Sequence, residues 1–372
     1  MQTVAEMWLV LQLTRSGFAV GVAAALQFAP MLLIGAWGGL IADRFDKRRL
    51  LLLTQTLMAL PALALLALTA TGTIELWMLL ALICARGAVN AVDNPARQAF
   101  LVELVGPDRL VNAVSLGSAL VNGARTIGPA LAGVVIATVG VVPCFGLNAL
   151  SFAAMIGALH GMDRSALRSA PPAARTPGQV RSALRYVRAT PELWIPLALM
   201  ALVGTFTFNF QTLLPLLATF GFGGGASTYA ALTTAMGLGA IVGAIGNGVR
   251  SRVQPALLAG AAAVFGALVV TAALAPNVAL AAAALVPVGA ASVVFAASVN
   301  SFLQLAVAPH MRGRVMALYS VVFLGSTPIG GPLMGWIAGA AGPRAALALG
   351  GVVAVGAAAW ARTAFARAAA PA

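Results

Sequence analysis

The chain has 372 residues, of which 61% are hydrophobic and only 8% charged, with a mean hydropathy of +0.97. A soluble globule carries about 25% charged residues, so this composition excludes one and requires lipid as the solvent. The formal net charge of +13 does not indicate nucleic acid, because the basic residues lie a few positions from apolar runs and no basic face covers a soluble domain.

The predicted apolar spans run, in chain order, over 18–41, 50–71, 74–96, 110–138, 141–162, 192–218, 227–249, 255–274, 278–306, 315–338 and 345–365. Most reach the roughly 20 residues that a helix needs to cross hydrocarbon. They are continuously apolar, whereas a membrane barrel needs shorter alternating segments. Each span must satisfy its own backbone hydrogen bonds in lipid, so an all-α membrane protein is expected. Ahead of the first full span, residues 1–13 are too short to cross, and Trp8, Leu9, Val10 and Leu11 read as the outer end of a first helix. The expectation is 11 full spans plus a partial first helix, with translation starting upstream of Met1 or the protein being an amino-terminally shortened form.

Eighteen of the 22 Lys and Arg residues lie in alternate connections and the C-terminal tail. Arg44, Lys47, Arg48, Arg49, Arg97 and Arg109 belong to this set, as do Arg250, Arg252, Arg312, Arg314, Arg362 and Arg367. The opposite connections hold only Arg15 and Arg344. This asymmetry predicts a multi-pass protein of the cytoplasmic membrane whose C-terminus and central linker face the cytoplasm. No cleavable signal peptide is read, because Glu6 interrupts the N-terminus and no basic region precedes the apolar run. Cys84 and Cys144 form no metal or disulfide pattern and are assigned to packing.

The longest polar segment, 163–191, contains Arg164, Arg168, Arg175, Arg181, Arg185 and Arg188 and separates two nearly equal halves. Domains are therefore placed at 1–162, 163–191 and 192–372. Residues 179–189 are expected to form a basic amphipathic helix on the anionic inner leaflet, acting as a tether. The halves also repeat: a shift of 202 residues places Leu116 on Leu318, Ser118 on Ser320, Gly128 on Gly330, Gly133 on Gly335 and Gly140 on Gly342. Parallel repeats about an axis along the membrane normal are the arrangement of secondary transporters with two six-helix halves.

Between the first two full spans stands Gly39-Leu40-Ile41-Ala42-Asp43-Arg44-Phe45-Asp46-Lys47-Arg48-Arg49. This resembles the signature of the major facilitator superfamily between helices 2 and 3, departing from it at Asp46 where glycine is usual. The resemblance implies the major facilitator fold, two pseudo-symmetric helical bundles. It also implies a cytoplasmic gate in which Asp43 caps helix 11 and Lys47 pairs with an acid at the inner end of helix 4, read here as Asp93. Gly39, Arg44 and Arg48 complete that motif.

Arg86 lies near the middle of its span, where an isolated cation is costly and must face a cavity or a partner. In the superfamily an Arg at this point of helix 4 is linked to proton coupling, although the usual Gln-Gly that follows is Val89-Asn90 here. The fourth full span keeps the spacing of the family's exporter signature on helix 5, with Ser115, Ala124, Gly128, Pro129, Ala132 and Gly133 in place. Ser115, Ala124 and Ala132 replace glycines by other small residues. Small side chains allow close helix approach and the proline frees a backbone carbonyl, so a packing seam or bend is expected there. The stretch 93–133, with Asn94-Pro95-Ala96-Arg97-Gln98-Ala99-Phe100 and Asn112-Ala113-Val114-Ser115-Leu116, resembles the enterobactin and macrolide exporter branch.

Only nine acids occur and none follows Glu192. Glu6 is the one placed at cavity depth, so Glu6 with Arg86 and Arg125 forms the candidate coupling cluster, with Asp93 as the alternative proton site. Two deep arginines against one acid favour an anionic or hydrogen-bond-rich substrate. Asn90, Phe206, Asn209, Gln211, Asn300 and Gln304 are candidates to line its cavity, with helix packing as the competing role. Expected partners are a small-molecule substrate, the proton and membrane lipids, with a monomeric protein and neither cofactor nor metal. The leading reading is a proton-driven exporter of a siderophore or macrolide-like molecule. An importer on the same fold and a shortened, non-transporting membrane subunit are the alternatives. No nucleophile–base pair or phosphate loop suggests an enzyme, and His160 and His310 are read as interfacial.

Overall fold

The computed structural model describes residues 1–106, 109–163, 179–247, 254–308 and 311–369. Helices α1 (Gln2–Thr14), α2 (Gly17–Arg44), α3 (Lys47–Ala70), α4 (Leu76–Val105), α5 (Leu110–Val139) and α6 (Val142–Gly161) are followed by α7 (Gln179–Ala189). Then come α8 (Pro191–Phe206), α9 (Phe210–Leu216), α10 (Ala226–Asn247), α11 (Pro255–Ala273), α12 (Val278–Ala306), α13 (Arg312–Ala341) and α14 (Pro343–Ala369). The all-α expectation holds. Among the described residues, ten helical runs are long and apolar enough to cross a membrane, and α5 is described as apolar over Ile127–Val139.

Backbone self-sufficiency explains why the chain tolerates Pro30, Pro61, Pro95 and Pro129 inside helices: each forfeits a single bond of a long ladder that packed neighbours support. The run expected as a single span at 192–218 is instead broken at residues 207–209 and ends in a π turn, Leu217–Gly221. The break is anchored by side chains that replace the lost ladder. The Thr207 hydroxyl donates to the Gly350 carbonyl at 2.7 Å, and Asn209 Nδ2 donates to the Thr205 carbonyl at 2.7 Å. Phe208, set in the break, sits among Phe265, Phe295 and Phe323, with centroid distances of 5.1, 6.3 and 5.7 Å.

The chain forms two compact units. The first comprises Met1–Arg15 and Leu26–Arg175, and the second Ser16–Ala25 and Thr176–Ala372. In the first, Leu50, Leu51, Ala96, Phe100 and Leu159 join α3, α4 and α6 in one buried cluster. The second takes in the start of α2 because Gly17 and Gly21 lie backbone to backbone against Gly335 and Gly331 of α13. Helix α7 also belongs to it. Val187 is buried, and the Ala308 amide lies 3.5 Å from the Tyr186 hydroxyl, so α7 is docked by its apolar side while Arg185 and Arg188 stay exposed.

The 202-residue repeat recurs in the helix bounds. Helices α5 and α13 start at Leu110 and Arg312 and end at Val139 and Ala341, and α4 and α12 start at Leu76 and Val278. Gly140 and Gly342, equivalent by the same shift, both adopt φ 90°, a conformation that glycine reaches without strain.

Candidate functional site

Helix α1 is buried along most of its length against α4, α5 and α6, and this packing sets Glu6 at 0% exposure. Arg86 comes from α4, and its Nη2 donates to Glu6 Oε2 at 2.7 Å. Gln2, one turn earlier on α1, donates from Nε2 to Glu6 Oε1 at 2.6 Å. Asn148 of α6 donates from Nδ2 to Gln2 Oε1. Both carboxylate oxygens thus meet a donor, as a buried polar group requires. Among the described residues Arg86 Nε finds no hydrogen-bond partner, and neither does Gln27 Oε1 on α2. A donor and an acceptor on adjoining helices are thereby left for other chemistry: Gly87, next to Arg86, would press an added Cβ to 2.6 Å from the Gln27 carbonyl.

The structure therefore brings Glu6 and Arg86 together. The side chains of Arg125, Asp43 and Ser115, and the surroundings of Gly39, lie outside the described residues, as does His310. Gln2, Gln27 and Asn148 were absent from the sequence-based set. An amide inside an apolar run carries no periodic signature, although its cost in hydrocarbon marks it for a partner.

At the other end of the first unit, the expected Lys47–Asp93 pair is not formed. Lys47 Nζ meets Glu103 Oε1 at 3.1 Å. Asp93, only 1% exposed, instead accepts from Thr54 Oγ1 at 2.7 Å, Gln55 Nε2 at 2.8 Å and Arg97 Nη2 at 2.6 Å. The reason is helix length: α4 continues to Val105, well beyond the apolar run that ends at 96, and carries Glu103 to the start of α3. Arg48, 5% exposed, donates from Nε to the Leu159 carbonyl at 2.7 Å and from Nη2 to the His160 carbonyl at 3.0 Å, closing the C-terminal end of α6. Arg44 is exposed.

On α5, Gly128 faces the start of the chain: a Cβ there would stand 3.4 Å from the Met1 nitrogen. Ala132 is fully buried, its carbonyl 3.9 Å from Cys144 Sγ, and Gly133 is buried as well, while Ala124 is exposed. Pro129 lies inside the helix. The small-residue face from Gly128 to Gly133 thus packs on α1 and α6.

Among the proposed lining residues of the second unit, Asn209 is buried with Oδ1 unpartnered, Phe206 is half-buried and Gln211 is exposed. Asn300 and Gln304 bond each other at 2.6 Å, and Asn90 of α4 is half-buried. Among the described residues no three His, Cys, Asp or Glu side chains gather as metal ligands.

The chain is 37% identical to the "Staphyloferrin A transporter" of Staphylococcus aureus over 131 residues, 35% of this chain and 33% of that protein. It is 28% identical to the "Multidrug efflux pump Tap" of Mycolicibacterium fortuitum over 358 residues, 92% of this chain and 86% of that one. The alignments to the first two curated relatives span only about a third of those proteins, 33% and 37%. The crystal structure of the nucleoside transporter NupG superposes with a TM-score of 0.72 at 13% identity, covering 98% of this chain and 94% of that one, which shows a shared fold. The pattern of the family described as "Transmembrane secretion effector" matches residues 1–370. With that match over almost its whole length, and with the helical architecture above, the chain belongs to the transmembrane secretion effector family of the major facilitator superfamily.

Proposed function

We propose that this transporter exports a small molecule across the cytoplasmic membrane in exchange for protons, with Glu6 and Arg86 as the coupling pair. The observation that carries the reading is the 2.7 Å ion pair between a fully buried carboxylate and a guanidinium on another helix. An ion pair inside a membrane bundle is expensive, and acids and arginines in such positions mark proton and substrate pathways. In the resting pair Arg86 balances the charge of Glu6. When a proton arrives on Glu6, the attraction is lost and the guanidinium is released to an acceptor on the substrate. Substrate departure restores the pair and expels the proton. Arg86 Nε and Gln27 Oε1 offer the first polar contacts for an anionic or hydrogen-bond-rich substrate of siderophore or macrolide type. The relative named a multidrug efflux pump supports export, and the one named a staphyloferrin A transporter supports a siderophore cargo.

In this reading residues 1–162 and 192–372 are the two bundles of an alternating-access monomer, and 163–191 is the cytoplasmic connection between them. The Lys47–Glu103 pair and the Asp43 motif serve the cytoplasmic gate. The small residues of α5 favour export over import.

The test is efflux from an exporter-deficient strain loaded in turn with a catecholate siderophore and a macrolide, before and after a protonophore collapses the gradient. Gradient-dependent efflux that is lost in Glu6→Gln is expected. Undiminished efflux in Glu6→Gln, or with the gradient collapsed, removes Glu6 and the proton from the mechanism. Net accumulation of a probe reverses the direction.

A further inference from the structure

We propose that Gln2 and Asn148 form a hydrogen-bond relay that converts the protonation of Glu6 on α1 into an amide reorientation on α6, which makes both of them positioning residues of the coupling site. The inference rests on the reading of Glu6 as the proton carrier.

The relay has a direction. Asn148 Nδ2 donates to Gln2 Oε1, Gln2 Nε2 donates to Glu6 Oε1 at 2.6 Å, and Arg86 Nη2 donates to Glu6 Oε2 at 2.7 Å. Every N–H therefore points toward the carboxylate. An ionised carboxylate only accepts, whereas a protonated one must also donate an O–H. Arg86 cannot receive that O–H, because a guanidinium has no acceptor. Of the two groups bonded to Glu6 among the described residues, Gln2 alone carries both a donor and an acceptor. Turning its amide by half a revolution presents Oε1 to the new O–H and swings its NH2 toward Asn148. Two NH2 groups then face each other, and Asn148 must turn as well. Burial favours the sequence: Gln2 is 6% and Glu6 0% exposed while Asn148 is half-buried, so a mismatched Gln2 amide is left without a partner unless Asn148 turns.

Helix α1 packs on α4, α5 and α6. Among the described residues, the charged groups that face Glu6 are Arg86 from α4 and the Met1 amine, and the Cys144 thiol of α6 lies near that amine. The side chain of Arg125 on α5 lies outside the described residues. Cys144 and Asn148 are one turn apart on α6, so a turn of the Asn148 amide takes place on the helix face already packed against α1 and α5.

The experiment follows the carboxyl infrared band of the purified full chain in lipid bilayers as pH is varied, with the Glu6 component identified by its loss in Glu6→Gln. In Asn148→Leu the Gln2 amide is free to turn, so protonated Glu6 gains an acceptor at no cost to Asn148. Its midpoint is expected to rise by about one pH unit, a tenfold easier protonation. Gln2→Leu removes a donor from the carboxylate and is expected to shift the midpoint upward by at least as much. It serves in place of Asn148→Leu if that variant fails to fold. A purely structural role for the amides would lower thermal stability and leave the midpoint in place. Variants that titrate like the parent overturn the relay while Glu6 remains the titrating group. A parent with no band that Glu6→Gln removes defeats the proton reading itself, and the relay with it.

Discussion

Arg48 at the start of α3 holds the last turn of α6: its Nε and Nη2 donate to the carbonyls of Leu159 and His160 at 2.7 and 3.0 Å. These are carbonyls that the helix itself cannot satisfy, and a cation is favoured at that end of the macrodipole. Arg48→Met is expected to destabilise the protein by about 2–4 kcal/mol, because two charge-assisted bonds are lost in a buried setting. Arg48→Lys should recover less than half of this, since an ammonium cannot reproduce the planar fork. Thermal unfolding in detergent, followed by size-exclusion chromatography, measures both.

Lys47 and Glu103 are predicted to be exchangeable. Reversing the pair, Lys47→Glu with Glu103→Lys, should restore most of the transport lost in either single variant. Lys47→Glu with Asp93→Lys should restore none, because Asp93 is engaged by Thr54, Gln55 and Arg97. Efflux of whichever probe the parent transports provides the readout.

Removing one partner of a buried ion pair costs more than removing both. Arg86→Gln is predicted to destabilise by about 3–5 kcal/mol because it removes the guanidinium that balances the buried Glu6 carboxylate, and adding Glu6→Gln should return much of that loss. A thermal double-mutant cycle tests the sign of the coupling. Both variants should be inactive in transport, so stability and activity part company in the double variant.

The backbone contact of Gly17 and Gly21 with Gly335 and Gly331 leaves no room for a methyl group. Gly21→Ala would drive its Cβ into the Gly331 carbonyl and is expected to cost roughly 1–3 kcal/mol through overpacking. Gly339, in the same helix as Gly331, has open space around it. Gly339→Ala should be neutral or stabilising by about 0.5–1 kcal/mol. Parallel melting curves of the two variants separate close approach from helix propensity.

Apolar run length made the spans legible, because in lipid the hydrophobic stretch and the helix coincide wherever the helix stays inside the bilayer. It failed where the helix leaves the apolar region. Helix α4 extends past Ala96 to Val105, and the partner of Lys47 lies on that extension. It carried no sign of the break after α8, where Thr207 bonds the Gly350 carbonyl, although Pro191–Gly221 remains one span by length and composition. Charge cost groups Glu6 with Arg86 and Arg125, since none tolerates hydrocarbon alone, and the structure describes the contact with Arg86. Gln2 and Asn148 escaped because uncharged amides carry a smaller penalty, and their pairing depends on how α1 and α6 lie together.

The offset of 202 positions that maps α5 onto α13 also carries Glu6 to Phe208 and Arg86 to Val288. Phe208 is the hub of the aromatic cluster, and Val288 is fully buried. Positions that hold an ion pair in one repeat are filled by hydrocarbon in the other. The two halves related by this offset thus differ in chemistry at these positions, one holding a polar pair and the other an apolar core. Mutational tolerance should be as unequal as the chemistry, with conservative apolar exchanges accepted around Phe208 and almost none accepted around Glu6.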